Sequence, residues 1–434
     1  MRAVLRNDWM IDLTRSGGLA ALTLSCITAC KVAVFLVLCS SGLQRPYVGD
    51  NAANIYLPAA NRLLTTGTFN DSGSLMYSSQ APGYPVFLAL TKAFFGERYL
   101  AVVVCLQILV DNCVALLLLA LGKRVTSIAA GFWAGVLWLV FPPAVVISTW
   151  ITSETLFTAL LVLSIVVWIF GLAAPRGLRL SFAAGLALGV ASLIRGTTLL
   201  LPVGFFAMAC LRGVSKGLVK SALLLLGMCL VVAPWTLRNL KVLGEPIVVQ
   251  TGFGSFFLQG SRSEYFTIRG KLGAYPNLVR EAAQDGLVKP TDAKATSHQR
   301  WLLSLGLRNY RLRMEQEPWS LLPFAAWKFG RLWYGTENGL AHRQTVLGLC
   351  SLLIVPAGAL QIWRWRRSHA QLSMTLSLLV LYFVLIPLVG LPELRYVMPV
   401  YPFLTFAAVH LYAELFAPSQ NPQPASVVLS SKAV

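Results

Sequence analysis

Eight apolar stretches, near 19–40, 98–121, 127–148, 152–172, 218–237, 344–362, 372–391 and 396–416, divide this chain into segments of one kind. A run of about 20 apolar residues is long enough to cross the hydrocarbon core of a bilayer as a helix. Inside that core only helices and closed barrels satisfy their own backbone hydrogen bonds, so so many runs of this length leave little but a helical bundle. Two shorter runs, 180–194 and 197–211, flank Arg195 and read as a helical hairpin with that arginine at its turn. The segments 82–95 and 319–334 carry Pro, Lys or Arg and are too short to span, so they are predicted to lie on the membrane surface. The expectation is an all-α polytopic membrane protein of about ten transmembrane helices, with interfacial helices in its first outer loop and one long extracytoplasmic loop.

Composition agrees. Of 434 residues, 56% are hydrophobic and only 12% charged, too apolar to bury in one soluble core. Lys and Arg gather on the cytoplasmic side of membrane proteins. Here they fill the connections 122–127, 173–180, 211–220 and 363–372, which contain no acid. Those loops alternate correctly for ten spans with both termini cytoplasmic, and counting 82–95 as a span would turn them outward. The net charge of +19 is therefore a matter of topology and lipid headgroups, and nucleic acid is not an expected partner. The apolar run behind Arg2, Arg6 and Arg15 is too long for a signal-peptide core and is taken as a retained first span.

On this topology thirteen of the 17 acids face outward, so chemistry belongs on the outer side. The expected organisation is an N-terminal transmembrane module, 1–237, whose first outer loop, 41–97, is catalytic. An extracytoplasmic loop of 238–318 without clear periodicity follows, then a C-terminal transmembrane module, 319–416, and a cytoplasmic tail, 417–434. The eight cysteines fall in or beside spans and the four histidines share no metal-binding spacing, so neither a disulfide framework nor a metal site is implied.

Asp50 stands just after the first span. Pro58 and Gly67 bracket a short surface helix beyond it, which would hold the acid in place. Gly49-Asp50-Asn51 is also ordinary turn chemistry. Glu154 opens a span beside Thr152 and Ser153, where it could serve a site or simply belong to a helix cap. Arg238 and Arg395 stand where spans meet the outer face, and a guanidinium fork matches phosphate oxygens. Arg195, in an apolar hairpin, is a functional candidate by its position, and Asp111 within a span is expected to pair inside the bundle.

Five patches in order give a family resemblance: Asp50 with Tyr56 and Gly67; Pro82-Gly83-Tyr84-Pro85; Thr152-Ser153-Glu154; Pro234-Trp235-Thr236-Leu237-Arg238-Asn239; and Leu394-Arg395-Tyr396 with Pro399 and Pro402. The chain resembles the C-type glycosyltransferases that use polyprenyl-phosphate sugars, the superfamily of protein O-mannosyltransferases and lipid A aminoarabinose transferases. The resemblance implies direct inverting displacement with Asp50 as general base, and Glu154, catalytic by its position, could hold the acceptor, order Asp50 or help bind a cation. Tyr56, Tyr84, Arg195, Arg238, Arg395 and Tyr396 would then contact substrate. It implies a polyprenyl-phosphate sugar donor in the bilayer and an extracytoplasmic glycan, lipid or protein acceptor, in a bacterial inner membrane.

Two departures stand out. Asn51 replaces a second acid that many relatives carry, and Gln80-Ala81 replace a basic residue and a proline before Pro82. A divalent cation is thus not supported by a paired-acid motif, and no other cofactor is expected. The competing readings are a flippase or transporter of lipid-linked glycans, which would favour repeated halves and midplane charges, and a ligase of such glycans.

Overall fold

The computed structural model describes residues 17–69, 81–174, 177–262, 283–284, 286–290, 294–336 and 341–416. The basic N-terminal residues, Gln80, the tail 417–434 and most acids of the long loop lie outside them. The protein is an all-α integral membrane protein. Among the described residues eight helices are long and apolar enough to cross a membrane. A ninth arises if Ile128–Val140 and Pro142–Ser148, bent by 57°, form one span, and the tenth expected run, Gly196–Leu211, is shorter than the rest.

The first helix, α1 (Gly17–Ser40), leads to a polar segment and then to α2 (Leu57–Thr66). Pro58 sits in the first turn of α2 and Gly67 closes it at φ +67°, a left-handed conformation that glycine adopts without cost. Helix α3 (Gly83–Phe95) runs into α4 (Tyr99–Val125) through a 3-10 turn. Were the two collinear, Tyr84 and Gln107 would be about 35 Å apart at 1.5 Å per residue. Instead the Tyr84 hydroxyl donates to Gln107 Oε1 at 2.9 Å, so α3 folds back along α4, with Gly96 at φ +55° at the bend.

The bundle continues through α5 (Ile128–Val140), α6 (Pro142–Ser148), α7 (Glu154–Ala173), α8 (Gly177–Ile194), α9 (Leu201–Leu211) and α10 (Ser215–Leu243). Small residues let these backbones touch, as lipid-embedded helices require. A Cβ on Gly185 would stand 2.2 Å from the Leu224 carbonyl oxygen, and one on Gly189 2.7 Å from Val231 Cβ. The Gly-x-x-x-Gly spacing of α8 therefore faces α10. Asp111 of α4 meets Lys31 of α1 at 3.8 Å, and Asn112 beside it donates to Ser25 Oγ at 3.2 Å. The pairing expected for Asp111 thus comes from a half-buried lysine within the first apolar run.

The long loop differs from its sequence reading. Helix α10 runs through residue 238, so the boundary drawn there falls inside a helix. Beyond it lie α11 (Phe253–Ser261) and the 22-residue α12 (Ala295–Gln316). Beyond Ala295 at its start, the large apolar residues that α12 buries form a narrow stripe, Trp301, Leu302 and Leu305, against Leu258 of α11, and the surrounding charged and polar residues hide that period. The chain closes with α13 (Leu321–Arg331), α14 (Ala341–Ser368), α15 (Ala370–Val389), the short α16 (Leu394–Val397) and α17 (Tyr401–Phe416), the last buried over its first nine residues and exposed over its last four.

Candidate active site

Glu154 is the first residue of α7 and is buried, 6% exposed. A buried carboxylate needs a partner, and it has two. Arg195 Nη1 lies 2.5 Å from Oε1, and the Thr152 hydroxyl donates to Oε2. Ser153 precedes the helix but does not cap it with its side chain. Its hydroxyl pairs with that of Tyr56 at 3.4 Å instead, which removes the simple capping explanation of Thr152-Ser153-Glu154.

Arg195 occupies the break between α8 and the 3-10 turn Gly196–Thr198, in extended backbone. Its guanidinium carbon lies 5.5 Å from the centre of the Tyr396 ring and 5.9 Å from that of Phe157. Burial opposes its charge, but Glu154, Tyr56 and Tyr396 outweigh that and raise its pKa. Arg395, in α16, stands 5.3 Å from the same Tyr396 ring, and its Nε binds Glu393 Oε2 at 2.7 Å. Tyr396 is thus flanked by two guanidiniums, each already joined to an acid.

Tyr56 and Tyr84, both within the reach of the Glu154 charge, meet edge to face at 5.0 Å. Burial, then the charge of Glu154, pushes the Tyr56 phenol up, so it stays a hydrogen-bonding hydroxyl at neutral pH. Gln107, which takes the Tyr84 bond, donates in turn to the carbonyls of Ser148 at 2.9 Å and Trp150 at 2.7 Å. This polar residue in an apolar run carried a visible signal that the sequence reading passed over. Glu393, counted there only as an outer acid, is the other omission.

Asp50 is reached through the backbone. Tyr47 and Trp150 form an isolated parallel bridge, with Ile151 N donating to the Tyr47 carbonyl at 2.9 Å and the two rings 4.6 Å apart. Asp50 follows three residues later and is exposed, and its carboxylate forms no hydrogen bond or ion pair with a described residue. Its side chain caps no helix, while the backbone around it turns, with Ala53 N donating to the Gly49 carbonyl at 2.9 Å. Arg238 is engaged elsewhere: its guanidinium stacks on Trp235 at 4.9 Å and donates to Asn239 Oδ1 at 3.1 Å, while Trp235 meets Phe69. The structure therefore gathers Tyr56, Tyr84, Glu154, Arg195, Arg395 and Tyr396 into one cluster, ties the segment of Asp50 to its edge, and engages Arg238 with Trp235 and Asn239.

Below the guanidiniums a small pocket is walled by Phe157, Phe383, Ile386, Pro387 and Pro399, with Arg195, Arg395 and Tyr396 at its polar end. Among the described residues no three of His, Cys, Asp and Glu converge as a metal site requires. Glu154 is taken up by Arg195 and Thr152, and Asn51 stands where a second acid would be needed, so these residues do not fit a bound cation.

Residues 79–237 match the family described as dolichyl-phosphate-mannose-protein mannosyltransferase. An oligosaccharyltransferase of Archaeoglobus fulgidus in its apo form superposes with a TM-score of 0.56 at 15% identity, over 91% of this chain and 51% of its own. The archaeal oligosaccharyltransferase AglB of that organism, in complex with an inhibitory peptide and a dolichol-phosphate, gives 0.51 at 15% identity, over 83% and 47%. The chain has the C-type glycosyltransferase fold.

This C-type chain spans about half the length of the two oligosaccharyltransferase chains. ArnT from Cupriavidus metallidurans bound to undecaprenyl phosphate is similar at 16% identity over 88% of this chain and 77% of that one, with a TM-score of 0.41. No curated protein matches the sequence. The match of 79–237 takes in Tyr84, Glu154, Arg195 and Trp235 but neither Asp50 nor Arg395.

Proposed function

We propose that the chain is a glycosyltransferase that moves a sugar from a polyprenyl-phosphate carrier to an extracytoplasmic acceptor. One observation carries this reading: two guanidiniums, Arg195 and Arg395, stand at the polar end of an apolar-walled pocket beside a loop that presents an exposed carboxylate. A lipid phosphate offers the matching combination of a single anionic head and a hydrocarbon tail. Arg195 and Arg395 would hold the phosphate, which leaves with its negative charge stabilised by them as the anomeric bond breaks. Asp50 would take the proton of the attacking acceptor group, and the resemblance makes the displacement inverting. Tyr56, Tyr84 and Tyr396 would border the sugar and the phosphate, and Arg238 would serve lipid headgroups at the rim. Glu154 orients Arg195 rather than exchanging protons, because its oxygens are already occupied.

The transmembrane modules 1–237 and 319–416 would sit in a bacterial inner membrane with both termini cytoplasmic, and the elements of 238–318 would cover the outer face. The test is transfer by purified protein from a panel of labelled polyprenyl-phosphate sugars. Asp50→Asn should abolish transfer while leaving the protein folded. A flippase would show no transfer at all, and a ligase would use diphosphate carriers and survive the substitution.

A further inference from the structure

Lys328 is 2% exposed, although it lies on α13, which carries the exposed Leu322 and follows directly on a turn with the nearly bare Trp319. An ammonium has three donors and no acceptor. Here all three find oxygens: the carbonyls of Leu388 at 2.9 Å and Val389 at 3.4 Å, and the Tyr310 hydroxyl at 3.0 Å. The two carbonyls belong to the last turn of α15, where a cation is favoured by the helix dipole. The ammonium also lies 5.0 Å from the centre of the Phe324 ring.

The turn beneath it is crowded. A Cβ on Gly260 of α11 would stand 2.1 Å from the Gly390 carbonyl oxygen, and one on Gly390 1.8 Å from the Phe256 ring. Phe256 in turn meets Tyr396 edge to face at 5.1 Å. Tyr310 of α12 reaches the Gly260 and Val389 carbonyls at 3.5 and 3.4 Å. Three elements outside the apolar spans, α11, α12 and α13, therefore converge on the turn at Gly390, three residues before Glu393 and five before Arg395. Nothing in the reaction scheme above uses Lys328.

We infer that Lys328 is a positioning residue whose ammonium, by holding the end of α15, fixes the direction in which the following segment presents Arg395 and Tyr396. Its value to the reaction rests on the donor site proposed above. Its effect on the segment does not.

The charged form is the one that can satisfy all three oxygens, since a neutral amine offers two donors and a lone pair. Burial, together with Arg313 of α12, lowers the Lys328 pKa to about 7. The titratable and charged groups facing it are Tyr310 and Arg313 from α12, and its contacts on α15 are backbone carbonyls. Because the positioning state is the protonated one, it is full below pH 7 and is lost as pH rises through that value.

The experiment is hydrogen exchange of the full-length protein in lipid nanodiscs at pH 6 and pH 8, expressed as protection factors so that intrinsic exchange drops out. In the wild type, protection of the amides of residues 390–396 should fall between the two pH values. Lys328→Arg, charged throughout, should keep it at both, and Lys328→Met should show the low value at both. If Lys328→Met does not accumulate, Tyr310→Phe, which removes one of the three acceptors, should lower protection at pH 6 in the same segment. A wild type whose protection is equal at both pH values, an arginine variant that loses protection like the wild type, or a Tyr310→Phe variant without effect overturns the inference.

In parallel, binding of a polyprenyl phosphate in the same discs should weaken about tenfold in Lys328→Met, the size of one lost charged hydrogen bond, and be rescued by arginine. Unaltered binding by Lys328→Met overturns the link to the site. If wild-type protein does not bind the lipid at all, the donor-site reading fails while the exchange result still decides the role of Lys328.

Discussion

Replacing Glu154 by leucine isolates the ion pair at the centre of the cluster. Leucine is the informative choice because a glutamine oxygen could still accept from Arg195. The side chains of Arg195 and Glu154 are 18% and 8% exposed, so solvent screens their attraction little. Removing one member of such a pair leaves a buried charge without compensation, which costs about 3–5 kcal/mol. The Tyr396 and Phe157 rings beside the guanidinium recover part of this through cation–π attraction of about 1 kcal/mol. A net loss of about 3 kcal/mol is expected for Glu154→Leu. The double variant Glu154→Leu with Arg195→Met removes both charges and fills the space with apolar atoms, so it should regain about 2 kcal/mol relative to the sum of the single variants. The measurement is equilibrium unfolding of the four proteins in mixed micelles, followed by tryptophan fluorescence. If Glu154→Leu lies within about 1 kcal/mol of wild type, or the double variant equals the sum of the singles, the pair does not hold the cluster together and the assignment of Glu154 as the orienter of Arg195 is wrong.

Asp50→Asn should change unfolding free energy by no more than about 0.5 kcal/mol, as expected for an exposed group without partners, yet reduce transfer by about 10²–10⁴-fold; parallel unfolding and transfer assays check both halves. Tyr84→Phe strands the Gln107 oxygen in the interior and should cost about 1–3 kcal/mol, read in the same unfolding assay. Gly260→Ala forces two backbones apart at Gly390, so it should lower exchange protection of residues 389–396 while leaving α1 and α4 unaffected. Arg395→Lys keeps the charge but loses the planar fork, and should raise the donor KM about tenfold with little change in kcat.

Much of this molecule is legible in its sequence because lipid leaves few options for a run of 20 apolar residues. The helix between Pro58 and Gly67 is equally readable, since both residues act through their own backbone angles. The clustering of Glu154, Arg195 and Arg395 was not: partners 41 and 241 positions from Glu154 meet only through helix packing. Arg238, read in the sequence like Arg395 as standing where a span meets the outer face, stacks on Trp235, three positions before it on the same helix. Helix α12 escaped because its buried stripe is three residues wide in a polar segment, and Lys31 because one cation does not break an apolar run.

The parallel bridge at Tyr47 has a mechanical outcome. Gln107 grips the carbonyls on either side of residue 149, and the same short stretch clasps the strand that leads to Asp50. An acid wetted by solvent thereby borrows its coordinates from amide bonds locked in the dry interior, where the chain turns into the helix that carries Tyr56.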